Sequence, residues 1–155
     1  MVHTTKIFDL LKGNWYFTRV IVGTPWSGRV IGEASFTAGN TGKNLSLLYR
    51  EDGELITDNL TLQVYKEYIY LYKDSVLEIY FYHNGKQGDL FHIIKFERIR
   101  KTIEKWQAMA SHICGSDNYD TKYIFHNNKE TFEIKHTVKG VKKDYISNTV
   151  FKRSV

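Results

Sequence analysis

Four side chains capable of acid, base or nucleophile chemistry fall within eight residues, in the run H-I-C-G-S-D-N-Y from His112 to Tyr119. An imidazole, a thiol, a carboxylate and a phenol that close together can move a proton, anchor a ligand or tie off a strand end as a hydrogen-bonded knot. His112 beside Asp117 or Tyr119 suits general acid/base work. Cys114 beside His112 has the types needed for thiolate chemistry, but H-x-C is not a spacing that such catalysis uses, and a small buried hydrophobe is the simpler role for this thiol. Asp117 lies in G-S-D-N, which has turn composition, so capping that turn competes with a ligand-facing role.

The segments that must position this cluster alternate with a period of two. Trp15 to Val22 places Trp15, Phe17, Arg19 and Ile21 on one face, as an extended strand requires. Further strand patterns follow over Arg29 to Phe36, Leu45 to Arg50, Leu55 to Val64, Tyr68 to Tyr72, Val76 to His83, Asp89 to Ile99, Trp106 to Cys114, Tyr119 to His126, Thr131 to Val138 and Lys142 to Arg153. E-D-G after Arg50 and N-G-K after His83 carry hairpin signals. Ahead of the strands, T-T-K-I-F-D-L-L-K-G predicts one short helix, capped by Thr4 or Thr5, with Ile7, Phe8, Leu10 and Leu11 apolar and Gly13 as the stop.

A long succession of antiparallel strands is best satisfied by closing the sheet, which removes exposed edges. The expected fold is therefore all-β: a single up-and-down antiparallel barrel of eight to ten strands with a short N-terminal helix, one domain over residues 1–155. A two-sheet sandwich is the rival. Aromatic residues make up 15% of the chain, led by eleven Tyr and nine Phe, and a single Pro is present. These are residue types that fit a half-buried pleated surface.

Composition narrows the function class. A lone cysteine excludes an intramolecular disulfide and suits a reducing compartment, so the cytoplasm is expected. No stretch approaches the ~20 apolar residues of a membrane helix, and a secretory signal is not expected, since M-V-H-T-T-K-I-F-D-L-L-K-G lacks its apolar run and small-residue cleavage site. The formal charge of +5 is spread among facing acids, as in K-E-Y-I-Y-L-Y-K-D-S-V-L-E, so no nucleic-acid stripe is expected.

Within a barrel, each strand's apolar set marks the interior. Tyr49 and Glu51 travel with Leu45 and Leu47, and His92 with Leu90, Ile94 and Phe96. His112 and Cys114 travel with Ala108 and Ala110, and His136 with Ile134 and Val138. Arg19 and Glu51 make a natural interior ion pair, and a buried Arg also suits a carboxylate ligand. Charged groups inside must pair, bind water or meet a ligand, since an unpaired buried charge costs several kcal/mol.

Gly13-Asn14-Trp15 after a short helix, with Arg153 late in the chain, resembles the lipocalin or calycin signature, in which the Trp plugs one barrel end and the Arg stacks over it. More of the chain is similar to an uncharacterised family of small lipocalin-like proteins. The matching segments are Leu11 to Trp15 with Arg19, Gly32 to Phe36, Tyr49 with Glu51 and Gly53, Phe91 and His92, His112 to Tyr119, Gly140 to Tyr145, and Arg153. Val141 stands where that pattern has Pro. The resemblance implies a barrel and singles out residues without implying a reaction.

The expected function is binding of a small, partly apolar and optionally anionic molecule in the barrel cavity. Its candidate contacts are Arg19, Tyr49, Glu51, Phe91, His92, His112, Cys114, Asp117 and Tyr119. A small cofactor-free lyase, isomerase or hydrolase with His112 or His92 as general base is the alternative, and haem ligation by an interior His is a third. Zinc at His92, His112 and Cys114 has suitable donor types but no close ligand spacing. No metal or cofactor is expected, and a homodimer through the barrel's outer face is compatible with this pattern.

Overall fold

A computed structural model of the chain describes residues 8–41, 44–95, 97–98, 105–126 and 130–154. Residues 8–11 are helical, and the rest is dominated by strands: β1 (Gly13–Thr24), β2 (Gly28–Thr41), β3 (Asn44–Ile56), β4 (Thr61–Lys73), β5 (Val76–His83), β6 (Lys86–Ile94), β7 (Glu97–Arg98), β8 (Lys105–Cys114), β9 (Asp117–His126), β10 (Thr131–Lys139) and β11 (Asp144–Arg153). They form one antiparallel sheet in the order β6-β5-β4-β3-β2-β1-β11-β10-β9-β8-β7. Each strand pairs with its sequence neighbours, apart from β6 and β7, and β1 joins β11, so first and last strands lie in the middle of the order. The sheet curls until β6 approaches β8, without a ladder between them among the described residues. This is the expected barrel, closed except for one seam.

The hairpin expected at E-D-G is not a turn. Glu51, Asp52 and Gly53 lie inside β3, where they pair with Ala34, Glu33 and Gly32 of β2. Gly32 and Gly53 face each other, and a Cβ on Gly32 would come within 2.6 Å of the Gly53 Cα. A Cβ on Gly53 would meet Val30 at 2.9 Å and Phe17 at 3.2 Å. The glycine signal came from close backbone approach rather than from a reversal of direction. The chain reverses instead at 57–60, where the Thr57 N–H donates to the Leu60 carbonyl at 2.9 Å. One strand, β4, therefore runs unbroken from Thr61 to Lys73, through the break expected between Val64 and Tyr68. The N-G signal behaves as expected: Asn84 and Gly85 take φ of 52° and 76° in the tight β5–β6 turn, the conformation that makes Asn-Gly a favoured hairpin pair.

The helical turn seals one end. Phe8 and Leu11 are buried there with Trp15, whose indole N–H donates to the Leu11 carbonyl at 2.9 Å. Arg153 lies over the Trp15 ring at 4.1 Å and donates to the carbonyls of Lys12 at 3.1 Å and Leu10 at 2.5 Å. Helix-end carbonyls left without intrahelical donors are satisfied in this way by a guanidinium. Beneath, Phe132 meets Trp15 edge-on at 4.8 Å and stacks on Phe151 at 4.1 Å. Thr4, Thr5, Ile7, Phe96 and Ile99, to which a cap, an apolar face or a strand end was assigned, lie outside the described residues.

Candidate functional site

At the opposite end the barrel is hollow. A cavity of about 540 Å³ opens between the β1–β2, β3–β4, β5–β6, β8–β9 and β10–β11 turns. Its apolar wall is Ile21, Val30, Leu55 and Val64, and its aromatic wall is Tyr68, Phe81 and Phe91, with Trp26 and Tyr65 near the mouth. The polar groups facing it are Arg19, Glu51, Lys66, Asp89, His112, Tyr119, His136, Tyr145 and Ser147. A mostly apolar hollow with a few convergent polar groups is the usual form of a small-molecule site, and the volume lies inside the normal range.

A polar layer divides this cavity from the sealed end. Arg19 donates to both carboxylate oxygens of Glu51, from Nη1 at 2.7 Å and from Nη2 at 2.9 Å, and from Nε to the Thr149 hydroxyl at 2.8 Å. Tyr49 donates to the same carboxylate at 2.5 Å. Burial pushes the Glu51 carboxyl upward, but Arg19 overrides it and holds the group below its ordinary range. Burial pushes the Tyr49 phenol well up, so it stays a donor. Below Arg19 and Glu51 a void of about 20 Å³ touches Tyr49, Tyr70 and Tyr123, room for about one water.

Two interior histidines are neutral by construction. His136 Nδ1 lies 2.7 Å from the Thr121 hydroxyl, and burial, followed by the charges of Lys66 and Arg19, lowers its pKa to about 3. His92 Nδ1 lies 2.6 Å from the Tyr123 hydroxyl, and burial followed by His112 lowers its pKa to about 4. Its Nε2 is buried with no hydrogen-bond partner among the described residues.

The nine candidate residues separate by depth. Arg19, Glu51, Phe91, His112 and Tyr119 face the cavity. Tyr49 sits below it and bounds only the small void. His92 does not reach the cavity, because Phe91 stacks over it at 3.8 Å. That arrangement overturns the expected alternation. β6 slips register against β5 between Ile79 and Tyr82, which turns the neighbours Phe91 and His92 both inward and leaves Leu90 on the outside, 39% exposed. A bulge adds a residue to one strand and shifts its faces. Asp117 faces Lys143 at 3.6 Å and abuts Gly140, beside the cavity rather than on its wall. Cys114 pairs in register with Asp117 across the Gly115-Ser116 turn, and its side chain lies outside the described residues. Lys143 donates to the Tyr119 hydroxyl at 3.1 Å.

His112 and Tyr119 are cross-strand partners, with rings 6.3 Å apart, and Phe91 lies 5.3 Å from the imidazole. Lys66 was missed. Val64, Lys66, Tyr68 and Tyr70 share a face of β4, but a strand broken after Val64 leaves Lys66 in a loop. Its alternation with Tyr68 was the available signal. Among the described residues no group of three or more His, Cys, Asp or Glu side chains is arranged to hold a metal ion, and no helix is long and apolar enough to cross a membrane.

The fold and site together define a calycin-like barrel, sealed by a Trp–Arg plug and hollow at the other end. Two solved structures share this architecture. An S-type phycobiliprotein lyase, CPES from Guillardia theta, superposes with a TM-score of 0.67 at 10% identity, over 97% of this chain and 92% of its own. Rv2717c from M. tuberculosis superposes with a TM-score of 0.56 at 14% identity, over 98% of each chain. No curated protein sequence matches significantly. The chain belongs to a family of unknown function, DUF6314, whose sequence profile matches residues 11–153.

Proposed function

We propose that this protein, a single barrel domain over residues 1–155, binds a small, largely apolar molecule in the open end of its barrel. The observation that carries the reading is the cavity of about 540 Å³ itself. Protein interiors are packed to crystal-like density with few voids larger than a water, so a hollow of this size lined by aromatic and aliphatic side chains is a built feature. Phe91, Tyr68 and Phe81 supply flat contact area, and Trp26 stands at the entrance. His112 and Tyr119 are polar contacts on the outer wall, while Arg19, Glu51 and Tyr49 shape the floor and His92 supports Phe91 from behind. Asp117, with Lys143, holds the β8–β9 turn beside Tyr119. A neighbour of this architecture is named as a lyase, which is in keeping with a barrel of this type handling a ligand.

Native mass spectrometry of the protein isolated from its source tests the reading. A non-covalent adduct is expected, and Val64→Trp, which fills the hollow from the β4 wall, is expected to abolish it while preserving the far-UV spectrum. An adduct retained in the filled variant places the ligand elsewhere and sinks the proposal.

A catalytic reading has one specific observation in its favour. His112 and Tyr119 sit side by side on the cavity wall, an imidazole and a phenol within reach of one ligand. If the captured molecule is turned over, His112→Ala should stop turnover with affinity retained. Lost affinity with no turnover by the parent protein leaves binding alone. An absorption titration with haem checks the third option, and absence of a Soret shift removes it.

A further inference from the structure

The charges of the cavity's inner layer do not balance, and its one further carboxylate, Asp89, stands on β6. Arg19 is held on both nitrogen arms by Glu51, so that pair is neutral as a unit. Lys66 is the other cation on the wall of the deep hollow, opposite Glu51 in the β3–β4 register. Yet Glu51 is occupied by Arg19 and Tyr49, and Lys66 forms no ion pair or hydrogen bond with any described residue. Its neighbours on the inner wall are Tyr68 on its own strand, Arg19 from β1, Glu51 from β3 and His136 from β10. Further out stand Asp89 from β6, His112 from β8, Tyr119 from β9 and Tyr145 from β11. Lys66 is an exposed residue of β4 whose side chain lines the cavity.

We propose that Lys66 is the anchor for the ligand's head group, and that this head group is a single carboxylate on an apolar body. The inference rests on the cavity reading above and goes beyond it by fixing the ligand's charge and the residue that selects it. A cation with no protein counter-charge on the wall of a largely apolar hollow is offered to an anionic group of whatever enters it, and the pairing is charge-assisted. One net positive charge in the inner layer is neutralised by one negative charge. A phosphate monoester carries close to two at neutral pH and would leave the excess uncompensated, repelled by Glu51. Arg19 is not the anchor, because a ligand carboxylate could reach its fork only by displacing the Glu51 carboxylate, and both of its arms are already matched. The neutral His136 adds no charge of its own, and Tyr68, whose phenol burial holds up to about 12, stays available as a donor.

The same geometry makes binding pH-dependent. Burial, followed by repulsion from Arg19, lowers the Lys66 pKa to about 8. A carboxylate placed beside it favours the charged form, so binding raises that pKa and takes up protons near pH 8. Affinity for an acid then falls as pH rises through that range, whereas affinity for an uncharged analogue does not.

Three probes of one shape decide it: naphthylacetate, naphthylethanol and naphthyl phosphate, titrated calorimetrically into the full chain at pH 7 and pH 9. The parent protein is expected to take naphthylacetate roughly tenfold more tightly than naphthylethanol at pH 7, a preference of about 1.4 kcal/mol. Naphthyl phosphate should bind no better than the alcohol. Lys66→Met should erase the preference for the acid and its pH dependence while keeping affinity for the alcohol, and Lys66→Arg should restore part of the preference. Equal affinity for acid and alcohol, or an acid preference that survives Lys66→Met, overturns the inference and leaves the cavity reading standing. A preference for the phosphate overturns the carboxylate assignment. If none of the three binds the parent protein, the cavity reading and this inference fall together.

Discussion

The two ends of this barrel are made by the same strands and the same alternation, yet one is solid and the other hollow. At the sealed end the inward positions are Trp15, Phe36, Phe125, Phe132 and Phe151, rings that meet edge-on or stacked and leave only a void of about 10 Å³ beside Phe125 and Phe132. At the open end the inward positions of the same strands are Ile21, Val30, Tyr119, His136 and Ser147, smaller or more polar groups that line the cavity. Between the two lies the Arg19–Glu51–Tyr49 layer. The sheet supplies the frame, and side-chain size decides where that frame is filled. Stability is therefore expected to reside at the plug and in the polar layer, and binding at the mouth.

The comparison breaks first at the plug. Trp15→Ala should cost about 3–5 kcal/mol in urea unfolding, the range for a fully buried large aromatic, with probe binding unchanged in the fraction that stays folded. Glu51→Gln comes next. It leaves the buried Arg19 guanidinium without its counter-charge and should cost about 3 kcal/mol, whereas replacing both by Arg19→Met with Glu51→Leu should recover most of that loss. A single variant as stable as the parent would mean that the layer is not under the electrostatic tension its geometry implies.

Acidification comes third. His92 and His136 have folded-state pKa values of about 4 and about 3, below the ordinary value near 6.5 of the unfolded chain. Their contribution is complete above pH ~6.5 and is lost as pH falls from there toward the folded-state values, because the unfolded state binds the extra protons. Unfolding free energy should drop by about 2 kcal/mol between pH 6.5 and 4.5, with the cavity-facing His136 discounted for solvent screening. His92→Phe combined with His136→Phe should flatten the profile. The part owed to Glu51, held low by Arg19, is lost only at lower pH, below the ordinary carboxylate range. The smallest effect is expected at the mouth: Leu55→Ala, whose side chain borders an existing void, should cost about 1 kcal/mol or less and change affinity instead. A Leu55 effect as large as that of Trp15 would erase the distinction between the two ends.

Several features were legible in one dimension because they are local. The period of two identified the strands, Asn84-Gly85 marked its hairpin, and Trp15 with Arg153 pointed to a plug that the geometry contains. Arg19 and Glu51 could be called inward, and a pair, from alternation and charge alone. Five of the nine candidate residues reach the cavity. Tyr49, His92 and Asp117 depend on relations that no single strand carries, and the Cys114 side chain lies outside the described residues. His92 is screened by Phe91 because β6 slips against β5, and a bulge leaves no dependable mark in a sequence that still alternates on either side of it. Lys66 was hidden because E-D-G looks like a turn until Gly32 is found opposite Gly53.

The sequence by itself determined that the chain would be a run of antiparallel strands with a wet, aromatic interior, since periodicity and side-chain chemistry are properties of neighbours along the chain. Only the tertiary structure decided which of those interior groups share a space. Closing the sheet sets β1 against β11, brings β6 up to β8 and matches residues far apart in number, so Arg19 spends its charge on Glu51 while Lys66 is left facing the hollow. Charge compensation is a property of distance in three dimensions, and distance is what the linear order of residues does not contain.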